Sequence, residues 1–200
     1  MVRYNTYMNK NRLEAFSDGV LAIVITIMVL EIKVPEGGNF SDLQLLFPKF
    51  ISYVLSFIYI GIYWNNHHHM LQSVTKINGK ILWANLHLLF WLSLIPVSSG
   101  WMGEHNFAKD TITLYGIILF FAAIAFRLLQ NIIIASEADN SLLEKAVGKD
   151  FKGKITDALN LSAIVISFFY ELVAVSVYII AAMIWLIPDK RIEKVIDLKK

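Results

Sequence analysis

The sequence predicts an all-α membrane protein whose chain crosses the bilayer six times. Three observations carry that expectation. Of the 200 residues, 56% are hydrophobic and only 17% are charged, with a mean hydropathy of +0.57; a soluble domain of this size holds more charge. The apolar residues lie in long blocks, as in spanning helices, where the backbone polar groups must be satisfied within the segment. The Lys and Arg residues are also unevenly distributed between alternate connections, which fixes the number of crossings. The net charge of +2 is uninformative by itself, and the absence of cysteine excludes disulfides and thiolate metal sites. The first twelve residues are polar and no small-residue cleavage site follows the first apolar block, so a cleavable leader is not expected.

The first helix is expected over about 12–34, with an apolar centre interrupted only by Thr26. The second covers about 43–70, the third about 80–102 with Pro96 in its second half, and the fourth about 111–135. The stretch 155–188 reads as one oversized helix or as two short ones, 155–170 and 172–188, broken near Tyr170 and Glu171. Charge decides. Six crossings with the N-terminus inside place 15 of the 18 Lys and Arg on the inside, leaving Lys33, Lys49 and Lys109 outside; five crossings would cut the inside count to 10. Both termini are therefore expected in the cytoplasm. The last two helices, about 16 residues each, reach only about 24 Å at 1.5 Å per residue, short of a core about 30 Å thick. The charged segment 136–154, with Gly148 and Gly153, reads as a cytoplasmic amphipathic helix or loop, and the whole of 1–200 as a single six-helix domain.

The first helix carries the sharpest signal. Its inner end reads Arg12-Leu-Glu-Ala-Phe16-Ser17-Asp18, and an apolar run follows at once. Ser17 and Asp18 suit a helix start, where they satisfy free N–H groups and oppose the macrodipole. They equally suit a functional intramembrane site, where a carboxylate needs partners. Gly19, Ile23, Thr26/Ile27, Leu30 and Val34 follow 3.6-residue spacing and share one face. From spacing alone that face is more simply a lipid-facing or packing surface.

The Arg12–Phe16–Ser17–Asp18 motif ahead of an apolar helix and Leu30-Glu31 resembles the signature of the transmembrane protein 175 family of potassium channels. Trp64-Asn-Asn-His67-His68 at the end of the second helix, Trp83-Ala-Asn85-Leu86 at the start of the third, and Pro96 are similar to the same family pattern, so the resemblance runs along the chain. The length and single motif copy are similar to the prokaryotic members. The resemblance implies a homotetramer around a central pore lined by the first helix, in a prokaryotic plasma membrane. It implies that Ile23 forms a constriction, that Thr26 supplies a hydroxyl layer for the ion, and that Ile27 and Leu30 continue the lining. Potassium is then the permeant ion, with no cofactor and no nucleic-acid partner.

Physical chemistry sets what such a pore can do. The chain has no Thr-Val-Gly-Tyr-Gly loop, so stacked carbonyl rings cannot select potassium and discrimination is expected to be modest. A narrow apolar neck gates by shedding water, which strips an ion of its solvation. The topology also brings Ser17 and Asp18 to the depth of Trp64, His67, His68, Trp83, Asn85 and His87. An interhelical network centred on Ser17 and Asp18 is expected there, holding the pore helix. His67, His68 and His69 are consecutive and point about 100° apart, so they cannot form one metal tripod. Competing readings are a proton-permeable channel or proton-coupled transporter using Asp18 and the histidines, and a membrane enzyme. The enzyme reading lacks a nucleophile constellation. The transporter reading lacks clear inverted repeats.

Overall fold

The computed structural model describes residues 9–137, 143 and 150–186. Seven α-helices occur among them: α1 Lys10–Leu30, α2 Phe47–Gln72, α3 Gly79–Ser93, α4 Ile95–Glu104, α5 Lys109–Ser136, α6 Phe151–Ser167 and α7 Glu171–Leu186. A 3-10 turn, Phe40–Leu46, precedes α2. Among the described residues, four segments are long and apolar enough to span a membrane: α1, the turn with α2, α3 with α4, and α5. The last two helices are shorter, 17 and 16 residues. The charged segment 136–154 lies mostly outside the described residues, as does the basic tail.

Local chemistry sets the boundaries. Asn9 caps α1 by accepting the Asn11 N–H at 3.0 Å, and Asn78 caps α3 by accepting the Ile81 N–H at 3.0 Å. The first helix stops at Leu30, short of the expected Val34. Pro35 disfavours helical backbone at Val34, and Gly37-Gly38 follow. The second helix begins at Phe47 because residues 40–46 form the tighter turn, closed by the Asn39 N–H donating to Asp42 Oδ2 at 2.9 Å. The third crossing is interrupted at Leu94, and Pro96 sits in the first turn of α4, where its missing N–H costs no helical bond. The final break falls at residues 168–170.

Contacts between helix ends define two faces. At the basal end, Lys10 Nζ donates to the Gln72 carbonyl at 3.1 Å, and the Thr75 N–H and hydroxyl donate to Glu137 Oε1 at 2.8 and 3.0 Å. There, too, Arg127 on α5 pairs with Asp157 on α6 and lies 3.8 Å from Asp150, a firmer fixture than a side chain reaching freely for the interface. At the opposite end Lys49 pairs with Glu104 at 3.2 Å.

Helix α5 runs through the centre of the chain's fold, and Tyr115, Leu119, Ala122, Ala125, Leu129 and Ile133 on it are buried. It packs against α3, α4, α6 and α7. A Cβ at Gly116 would overlap the Tyr178 hydroxyl, so glycine lets α5 and α7 approach closely. The spans are also joined by hydroxyls: Ser56 Oγ lies 2.8 Å from Ser99 Oγ and 3.0 Å from Tyr115 Oη, while Thr113 and Ser167 are 2.7 Å apart. Helix α1 stands to one side, against α2, α3 and α4.

Candidate functional site

Helix α1 has two unlike faces. Leu13, Ser17, Leu21, Val24 and Met28 are buried against the rest of the chain. The opposite face carries Phe16, Gly19, Ile23, Thr26, Ile27 and Leu30, all exposed. Ile23 is 59% exposed and Leu30 78%. The Thr26 hydroxyl donates to the Ile23 carbonyl at 2.9 Å. Its proton is thereby directed at the backbone, and its oxygen keeps free lone pairs, the polarity a cation needs.

The buried face is locked by polar contacts near the basal end. Ser17, fully buried, donates to the Leu13 carbonyl at 2.9 Å and accepts from Asn85 Nδ2 at 3.0 Å. Asn85 Oδ1 lies 2.6 Å from His67 Nε2. With Asn85 donating to Ser17, its carbonyl oxygen faces the histidine, so His67 carries its proton on Nε2. Helices α1, α3 and α2 are thus joined through one buried amide. Beside it, Trp64 Nε1–H donates to Asp18 Oδ1 at 2.9 Å. The paired carboxylate meets the requirement for an ionisable group at this depth.

The other expected members are placed apart from this lock. His68 stacks on Trp64 with centroids 6.3 Å apart, and its Nε2 lies 2.7 Å from Gln72 Nε2. On α3, His87 Nε2 accepts from Trp91 Nε1–H at 3.0 Å, one turn along the same helix. Trp83 is 76% exposed on the outer side of α3. Arg12 is exposed and makes no side-chain hydrogen bond or ion pair among the described residues. Residues two apart on a helix diverge by about 200°, so Trp83 and Asn85 cannot both face α1. Gln72 and Trp91 were missed by sequence reasoning; the signal available was their i, i+4 spacing from His68 and His87. Glu14 Oε1 and His69 Nδ1 are buried near the same end without a hydrogen-bond partner. Among the described residues, no group of three or more His, Cys, Asp or Glu is placed to hold a metal ion.

The chain is similar to known proteins in sequence and in fold. Residues 12–96, from the Arg12 motif to Pro96, match the family model described as endosomal/lysosomal potassium channel TMEM175. A protein named as a potassium channel in Chryseobacterium sp. (strain P1-3) is 57% identical over 187 residues, covering 94% of this chain and 97% of that relative. The crystal structure of a lysosomal potassium-selective channel TMEM175 homolog from Chamaesiphon minutus superposes with a TM-score of 0.79 at 28% identity, covering 90% of this chain and 97% of the other. The endosomal/lysosomal proton channel TMEM175 of Gallus gallus is 32% identical over 134 residues, which span 58% of this chain but only 26% of that longer protein. The motif, the all-helical membrane fold and the near full-length match agree, and the chain belongs to the TMEM175 family of multi-pass membrane channels.

Proposed function

We propose that this protein is a potassium-permeable cation channel of modest selectivity, formed by four copies of the chain around an axis lined by the exposed face of α1. The observation that carries the proposal is the division of α1. Ser17 and Asp18 fasten one side to α3 and α2, while Ile23, Thr26, Ile27 and Leu30 on the other side are left exposed among the described residues. Four such faces enclose a narrow conduit. Ile23 is its neck, and the Thr26 oxygen, one turn on, receives an ion that has shed part of its water. The neck conducts when it widens enough to stay wet, and the Asn85 and Trp64 contacts set how far α1 can tilt or slide. On this reading the whole chain is one channel domain in a prokaryotic plasma membrane. The basal end faces the cytoplasm, consistent with the excess of Lys and Arg in the connections there.

The name of the Gallus gallus relative favours a second reading, proton permeation. In this chain, Asp18 and the His67–Asn85–Ser17 chain offer protonatable groups, but that chain is buried behind α1, off the exposed face. Single-channel recording in a planar bilayer separates the readings. A reversal potential that follows the potassium gradient supports the proposal; one that follows a proton gradient alone, or no current at all, overturns it.

A further inference from the structure

An open groove of about 980 Å³ lies between the start of α3 and the end of α5. Its floor is mainly apolar, formed by Ala84, Leu128, Ile132 and Ala135, with the His87 ring beside them, bonded to Trp91. Gly79, Ala84 and Ala135 are small, which is why the helices fail to fill the space. Its mouth is cationic. Lys80 lines it, and the first turn of α3 opens there. Asn78 caps that turn by accepting from Ile81 N–H, and its carbonyl accepts from Leu82 N–H at 3.1 Å. The Gly79 and Lys80 N–H groups are left without a partner among the described residues. The carboxylate next in sequence, Glu137, is held by the Thr75 N–H and hydroxyl. Trp83, 76% exposed, lines the groove on the second turn of α3, near the end of the span, where tryptophan anchors at the membrane interface.

We propose that this groove binds one anionic phospholipid. The Lys80 ammonium and the two free amides meet the phosphate, Trp83 lies at headgroup depth, and an acyl chain fills the apolar floor. Charge complementarity selects the headgroup: a lysine, two N–H donors and the positive pole of a helix face one small region. The length and greasiness of the groove select a lipid over a free anion. Ala84 is adjacent to Asn85, which holds Ser17 on α1. A lipid seated here therefore braces the helix that fixes α1. The binding site itself does not depend on the proposed ion path.

The test uses the full-length protein in nanodiscs of phosphatidylcholine doped with a photoactivatable phosphatidylglycerol carrying its label on the acyl chain. Crosslinks are expected to concentrate in the peptides containing Ala84 and Leu128–Ala135. Labelling spread evenly over the spans, or absent from this groove because a neighbouring copy seals it, overturns the proposal. A second measurement uses native mass spectrometry of Lys80→Gln and Ala135→Trp. Retention of phosphatidylglycerol should fall about fivefold in Lys80→Gln, the factor corresponding to ~1 kcal/mol for one lysine beside anionic lipid. It should fall further in Ala135→Trp, while phosphatidylcholine retention in Lys80→Gln stays unchanged. Undiminished retention in both variants, or equal displacement by free inorganic phosphate, counts against a lipid site.

Discussion

Single residues decide whether α1 is held. Asn85 is fully buried and is bonded on both sides of its amide, to Ser17 and to His67. Asn85→Leu strips both partners and should lower stability by about 1–2 kcal/mol, within the range for buried hydrogen bonds and for polar contacts between spanning helices. Thermal unfolding in detergent reads this. Combined with Ser17→Ala the loss should be less than additive, and strict additivity would mean the two residues do not act together. Gly116 offers a purely steric counterpart. Gly116→Ala drives a methyl into the Tyr178 hydroxyl and should cost about 1–3 kcal/mol. By contrast, Gly61→Ala meets nothing within 4 Å and should be neutral or mildly stabilising. Equal effects at the two glycines would refute the close approach of α5 and α7. The motif residues were legible in the sequence as a set, but their pairing was not. Residue type announces that Asp18 needs a donor; only the rotation of α2 and α3 assigns Trp64 to it and turns Trp83 away.

Helices carry the next level. The long apolar segments were legible from hydropathy, and the break near Tyr170 and Glu171, which the charge count favoured over one long helix, falls at residues 168–170. Boundaries moved wherever local chemistry competed with hydropathy: Pro35 shortens the first helix, and Asn39 with Asp42 converts the approach to the second into a 3-10 turn. The interior order of the bundle was not legible, since the apolar spans look alike until small residues and hydroxyls choose neighbours. The Ser56 contacts are an example, tying α2 to α4 and α5 in the half of the protein opposite the Asn85 lock. Ser56→Ala should lower the melting temperature by the equivalent of about 1 kcal/mol, and Tyr115→Phe in the same background should add little. A large additional loss would show that the tyrosine hydroxyl is held by something else.

At the scale of the whole molecule, the chain contains no cysteine, so one introduced thiol reports on assembly without background. Ile23→Cys on the exposed face of α1 should crosslink between copies under oxidation, whereas Leu21→Cys, buried against its own protomer, should not. The reverse pattern would place the axis elsewhere. Ile23→Ser should raise unitary conductance and weaken potassium preference in bilayer recordings, and an unaltered channel would move the neck away from this residue. The uncovered face of α1 also has a genetic meaning. A single chain owns only one wall of the proposed ion path, so no copy conducts alone and each inherits the defects of its neighbours. When wild-type and neck-blocked chains are co-expressed, current should fall more steeply than the wild-type share, making a faulty allele dominant even where half of the protein is sound.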